Sequence, residues 1–387
     1  MPVLGLRGST SYGADDRPKS YRDFISHLDP NGDAILTAFT SKLKKQQVGD
    51  PEHKWSEKDQ PTLRLTVNGA QTSGDTTIEV NGSLAKAVRA RDLLWNERTD
   101  EKIMVSSDPT LTTEIVVTRG ALGTTAAAMV DGDGLTVIGQ SLTEDAATPT
   151  AVSYDPTWKT NYLETFRESV DLTLIAKAMK LRWGKAKPEL KNDAFKKITR
   201  RMELEFLLGT PNEDLTGSQP ARTTGGFKHF VTTNVWDAGG ALSKSELDSY
   251  LKDIFAYGSK EKLYLCGSTH AMVLSQMAEK MGTIQLEPTK EGVFGFKLRR
   301  LITPGGDLLI YSHPLLSSNP TLTSWGFAID MDKVGYIYAP GLDLQYLTDR
   351  QANGKTVETD EWLAVCGLEI MHEKAHGIIK NVTSYAP

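Results

Sequence analysis

The sequence predicts an α+β protein with more than one domain. Between residues 62 and 140 short β-branched runs alternate with turn residues, from Pro188 to Leu208 apolar residues recur at every fourth position, and after Gly225 strand-like and helix-like runs succeed one another. The first pattern is that of a small all-β module, the second of a long amphipathic helix and the third of a mixed region. A chain of 387 residues has room for two or three domains, each with its own core.

Bulk composition narrows the class further. Hydrophobic residues make up 39% and charged residues 24%, as in ordinary soluble proteins. The longest apolar windows, Leu308–Tyr311 and Trp362–Cys366, are far shorter than the roughly 20 residues a spanning helix needs. The N-terminus, with Gly5, Gly8, Ser9, Thr10 and Ser11, lacks the apolar core of a secretory signal, so a reducing cytoplasm is the expected setting. Cys266 and Cys366 are then expected as two buried thiols, and the sequons at Asn81 and Asn381 carry no meaning. A formal charge of -5 argues against a protein whose main task is gripping phosphates, since that affinity comes from clustered Lys and Arg.

Taken in order, residues 1 to 20 read as an extended arm or tail without periodicity. From Tyr21 to Leu43 the positions Phe24, Ile25, Leu28, Ile35, Leu36, Phe39 and Leu43 predict two short helices broken at Asp29-Pro30-Asn31-Gly32. That segment is too small to bury its own apolar face. Asp29, Asn31 and Asp33 imitate a calcium loop, but Ala34 stands at the sharp-turn position and Thr40 where a bidentate Glu is needed. Strands are predicted over Leu63–Val67, Thr77–Val80, Asp92–Trp95, Ile103–Val105, Glu114–Thr118 and Leu135–Ile138. Their turns carry Asn68-Gly69, Asn81-Gly82, Arg119-Gly120 and Asp131-Gly132, where Gly supplies shape; no Gly cluster has Walker spacing to Lys-Ser or Lys-Thr.

A helical region is expected from about Glu164 to Leu208, broken at Trp183-Gly184. Its second half starts at Pro188, carries Leu190, Ala194, Ile198, Met202 and Phe206 on one stripe, and stops at Gly209. The other face, with Lys191, Lys196, Lys197, Arg200, Arg201 and Glu205, reads as solvated or subunit-facing. Beyond Gly225, Ser243-Lys244-Ser245-Glu246 is a capping box before Leu247, Leu251 and Ile254. Lys262–Cys266 is a strand, a helix begins at Ser268 and runs to about Met281, and later strands fall at Asp307–Tyr311, Gly326–Asp330, Val334–Tyr338 and the C-terminus. His27, His53, His229, His270 and His313 are scattered and read as surface or hydrogen-bonded residues.

One motif points to chemistry. His372-Glu373-Lys374-Ala375-His376 matches the zinc-protease pattern, in which both His lie one helical turn apart and Glu polarises the zinc water. Gly377-Ile378-Ile379 directly after it disfavours a helix, Ile379 and Val382 stand where the extended motif wants Gly and His, and no Glu follows. A metal role for His372, Glu373 and His376 is therefore rejected, and no catalytic residue or cofactor is expected.

Several segments carry a family resemblance. They are Asp23-Phe24-Ile25-Ser26-His27-Leu28-Asp29-Pro30, then Val117-Thr118-Arg119-Gly120-Ala121-Leu122-Gly123-Thr124-Thr125, the long helix, and Ile302-Thr303-Pro304-Gly305-Gly306-Asp307. Ala328-Ile329-Asp330-Met331-Asp332-Lys333-Val334, Gly367-Leu368-Glu369 and Lys374-Ala375-His376-Gly377-Ile378-Ile379 follow in the same order. With that order the chain resembles the major capsid proteins of tailed bacteriophages, in the branch typified by phage SU10.

The resemblance implies an HK97-like fold. Its parts would be an N-terminal arm (1–50), an extended loop (51–160) carrying a β-barrel-like insertion (about 62–145), and a peripheral domain (161–224) with a spine helix (about 188–208). An axial domain (225–345) and returning peripheral strands (346–387) would complete it, with His372 and His376 incidental on a strand segment. Implied partners are other copies, in pentamers and hexamers, with a separate scaffolding protein, a portal and decoration proteins. The head would enclose double-stranded DNA without sequence-specific binding, assemble in the bacterial cytoplasm and lack a large cleaved N-terminal scaffold. Mild acidity suits a wall that does not adsorb packed DNA. Phe24, Ile25, Leu28, Ile35, Leu36, Phe39, Trp55 and Trp95 are the expected subunit contacts. A zinc peptidase and a tail or baseplate protein are the rival classes.

Overall fold

The computed structural model describes residues 45–58, 63–179, 186–281, 287–288 and 299–386. The helices expected over Tyr21–Leu43, the break at Trp183-Gly184 and the contacts Phe24, Ile25, Leu28, Ile35, Leu36 and Phe39 lie outside the described residues. The chain divides into two compact units, one of residues 56–158 and one of the remainder.

In the smaller unit the strands are Arg64–Thr66, Thr77–Glu79, Asp92–Asn96, Lys102–Val105, Glu114–Thr118 and Gly134–Gln140, each on a predicted run. They form one six-stranded antiparallel sheet whose two outer strands, the first and second in the chain, are joined by a bridge between Val67 and Val80. That bridge closes the sheet into a small barrel and covers its edges. Alternation decides the interior: Leu65, Val67, Ile78, Val80, Leu94, Ile103, Val105, Ile115, Val117 and Leu135 fill it.

Among the described residues the larger unit is built on two main sheets, besides the small hairpin of Asn212–Asp214 and Ala221–Thr223. Lys45–Gln47, Val334–Tyr338, Val357–Ile370 and Glu164–Thr173 lie side by side in one, with Gln345–Leu347 also on the long strand. Glu164–Thr173 was expected to be helical and is a strand. Its ten residues pair antiparallel with Val357–Cys366, and Phe166 and Val170 point inward from a period of two among otherwise polar neighbours. Thr173 then caps a short helix, Leu174–Ala178, its hydroxyl accepting from the Ala176 amide at 3.2 Å.

The long helix runs Ala186–Leu208, starting just before Pro188. Ala194, Ile198, Met202 and Phe206 are buried as the spacing predicts, while Leu190 stays 37% exposed. Gly209 follows its last residue, and only glycine fits there, because a side chain would strike the Thr224 carbonyl, 2.5 Å from where its Cβ would sit.

The second sheet has seven strands in the order Val235–Leu242, Gly377–Tyr385, Gly326–Ile329, Glu261–Cys266, Gly306–Ser312, Arg299–Thr303 and Glu287–Pro288. Its centre is covered on both faces, which is why Leu263-Tyr264-Leu265-Cys266 is continuously apolar. Tyr264, Cys266, Ile310 and Ile379 pack with the helices Lys244–Phe255 and Ser268–Met281. Leu263, Leu265, Phe327 and Ile378 face the other way and share one core with Ile198, Met202 and Phe206 of the long helix and with Phe166, Ala364 and Leu368 of the first sheet. The capping box at Ser243 is present, with Glu246 accepting from the Ser243 amide at 2.9 Å.

Phe206 is fully buried where helix and both sheets meet, so Phe206→Ala is expected to cost about 3–5 kcal/mol. Leu204→Ala, on the exposed side of the same turn, is expected to cost about 0.5 kcal/mol or less. Urea denaturation of the two variants measures both.

Candidate assembly surfaces

The zinc-like motif is a turn between two strands. His372 has a φ of 55°, Glu373–Ala375 make a single 3-10 turn, and His376 leads into the strand Gly377–Tyr385. Its two imidazoles therefore do not share a helical face. Glu373 accepts from the Thr232 hydroxyl at 2.7 Å and the Thr233 hydroxyl at 3.1 Å. Burial opposes its charge, but those donors hold the carboxyl below its usual range.

His376 is fully buried, and its two partners define its tautomer. Nδ1 accepts from the Asp330 amide at 3.1 Å, so Nε2 carries the hydrogen toward the Met371 carbonyl at 3.3 Å. Burial pushes its pKa down to about 4, and does the same to His270, which lies against the Tyr264 hydroxyl at 3.0 Å. Beside His376, Lys262, also fully buried, donates to the Tyr257 carbonyl at 2.8 Å and the Ala375 carbonyl at 2.5 Å, with Asp330 at 3.8 Å. The turn is thus fastened to the core by its own polar groups.

Sign follows from linkage: the unfolded chain binds protons on these histidines below about pH 6.5, where the folded chain refuses them until about pH 4. Their contribution to stability is present above that window and is lost as pH falls through it. His376→Gln is expected to flatten the decline of the urea midpoint between those pH values relative to the parent.

In the barrel, Arg119 explains the segment Val117–Thr125. Its guanidinium binds Glu101 through two bonds, Nε to Oε1 at 2.9 Å and Nη2 to Oε2 at 2.8 Å, and donates to the Thr72 carbonyl and the Ala127 carbonyl. Glu101 is fully buried and also accepts from the Gly120 and Ala127 amides at 2.9 and 3.2 Å. Burial works against that carboxylate, yet Arg119 and the two amides hold it below the usual range. At the tip of this clasped loop Leu122 has a φ of 55° and is 69% exposed. Arg119→Met leaves a buried carboxylate unpaired and is expected to destabilise the barrel by about 3 kcal/mol, read by thermal denaturation.

Of the expected contacts, Trp55 takes a different place. It is 6% exposed, packed between His53 at 5.9 Å and Phe230 at 5.6 Å, so its apolar surface is taken up within the chain and it is withdrawn as a contact. Trp95 is half-buried; its Nε1 donates to Asp100 at 2.7 Å and the Lys102 ammonium lies 5.0 Å over the ring.

Sequence reasoning missed the apolar group Leu174, Ile175 and Met179 on and after the short helix, where Ile175 is 78% exposed. The period of two in Glu164–Thr173 was the signal that a strand, and not a buried helix face, leads into it. The anchor beneath is ionic: Lys177 reaches Glu358 at 2.5 Å and Lys187 reaches Asp360 at 2.6 Å, binding the end of the short helix and the start of the long one to the long strand. At the other edge of the sheet Lys45–Gln47 runs parallel to Val334–Tyr338, with Lys45 paired to Asp343 at 2.8 Å.

The family model of the SU10 major capsid protein matches residues 6–383. The chain belongs to that family. It is 23% identical over 362 residues to the "Major capsid protein" of Pseudomonas phage PaMx41, covering 90% of this chain and 83% of the relative. Among solved structures it is similar to the holo-SrpI encapsulin of Synechococcus elongatus PCC 7942, with a TM-score of 0.51 at 11% identity over 99% of each chain. A capsid chain of Myoviridae phage XM1 aligns over 94% of this chain and 97% of that one, at 11% identity and a TM-score of 0.45. The fold is the HK97 fold. As a member of the SU10 major capsid family the protein is a structural, self-associating component of the virion and not an enzyme.

Proposed function

We propose that copies of this chain form pentamers and hexamers that close an icosahedral or prolate head around double-stranded DNA. The family match across residues 6–383 carries this reading. Apolar side chains left outside the hydrophobic cores support it, because burial at roughly 25 cal/mol per Å2 draws such surface onto neighbouring copies. Head-to-tail contacts between different patches close into rings. In this reading residues 1–50 are the arm, 51–160 the extended loop with the barrel, 161–224 and 346–387 the peripheral domain, and 225–345 the axial domain. Assembly takes place in the bacterial host cytoplasm with a separate scaffolding protein and a portal, and decoration proteins bind the finished shell. DNA is enclosed without base readout, which suits a net charge of -5.

Electron microscopy of the protein expressed with its phage scaffold tests this. Closed shells are expected, and Ile175→Lys is expected to cut their yield at least about tenfold while leaving subunit stability within about 0.5 kcal/mol. A parent chain that stays monomeric at high concentration with scaffold present would contradict the assembly reading. Normal shells from Ile175→Lys would remove the short-helix surface from it.

A further inference from the structure

Four Asn-Gly pairs occur in the chain, beginning at Asn31, Asn68, Asn81 and Asn353. The first lies outside the described residues, and the fold treats the other three differently. Asn68 donates its side-chain amide to Glu79 at 3.3 Å, and the Gly69 amide beside it donates to Asp131 at 2.9 Å. Asn81 donates its side-chain amide to the Val67 carbonyl at 3.2 Å. Asn353 is exposed, and among the described residues neither its side chain nor the Gly354 amide has a hydrogen-bond partner. Those two residues form the middle of a turn closed by the Lys355 amide on the Ala352 carbonyl at 3.4 Å, with Gly354 at a φ of 84°. Glycine suits that position of a type II turn, and it leaves no side chain to shield its own nitrogen.

We infer that Asn353 is a self-modification site, at which the folded chain converts asparagine to aspartate and isoaspartate without an enzyme.

The Gly354 nitrogen attacks the side-chain carbonyl carbon of Asn353 and gives up its proton to water or hydroxide. The new C–N bond closes a cyclic imide, and the side-chain nitrogen leaves as ammonia. Water then opens the imide at either carbonyl, giving aspartate or an isoaspartate whose backbone runs through the former side chain. Both products carry a negative charge that asparagine lacks. Hydrogen bonds on the reacting groups hold the same step back elsewhere, since attack must first break them. At Asn68 the leaving amide and the attacking nitrogen are both held, and at Asn81 the leaving amide is.

The surroundings keep the change local. The base of the loop is fastened by the Arg350 amide on the Thr359 carbonyl at 2.8 Å and by the Thr359 amide on the Gln351 side chain at 3.3 Å. Beside the turn the Leu174 amide donates to the Thr356 carbonyl at 3.3 Å, so the new charge arises next to the short helix that carries Ile175.

Peptide mapping by mass spectrometry tests this on the purified, unassembled full chain, incubated near pH 8 both folded and in denaturant. In denaturant the three asparagines are expected to convert at rates within about twofold of one another, because the fold no longer separates them. In the folded chain Asn353 is expected to keep that rate, while Asn81 falls behind by about threefold and Asn68 by about tenfold or more, as one and two hydrogen bonds require. Enzymatic methylation of isoaspartate is expected to label the peptide containing residue 353. Asn353→Gln, whose longer side chain closes the ring poorly, is expected to abolish that label and leave the urea midpoint unchanged. An Asn353 as slow as Asn68 in the folded chain, or three sites that all keep their unfolded rates, would overturn the inference.

Discussion

Burial of one face of the long helix against two sheets at once is the constraint that organises the larger unit. Ile198, Met202 and Phe206 share one buried core with Phe166, Ala364 and Leu368 of the first sheet and with Leu263, Leu265 and Phe327 of the seven-stranded sheet. An amphipathic helix this long has little stability alone and takes it from packing. The strands that receive it must be apolar on that face, and those of the second sheet must be apolar on the opposite face too, where two further helices lie. The barrel has its own closed core and stands outside this arrangement.

Much of this was legible in the sequence, for identifiable reasons. The barrel strands showed themselves because their burial is local: a period of two, bounded by Gly and Asn turns, needs no knowledge of distant partners. The long helix and the Ser243 capping box were legible for the same reason. Glu164–Thr173 was misread because its partner, Val357–Cys366, lies far along the chain, and Phe166 and Val170 gain their burial only through that pairing. Trp55 was misjudged in the same way, since Phe230 is brought to it by the fold.

Buried ions were the least visible feature. Nothing in the sequence around Glu101 or Lys262 announces that each is fully buried with named partners. Both sit in runs whose neighbours are ordinary strand residues, and only tertiary pairing satisfies them. At the C-terminal turn the reverse held: a catalytic pattern was conspicuous, while the flanking Gly377-Ile378-Ile379 already argued against a helix. His376 and Glu373 are engaged by groups of the protein itself.

Native-state hydrogen exchange tests the organising role of the long helix most directly. Amides of Ala186–Leu208, Val357–Ile370 and Gly326–Ile329 are expected to open together, with one free energy and one denaturant dependence, while the barrel strands open separately. Exchange of the helix well before either sheet would contradict the account, because the two sheets would then hold together without it.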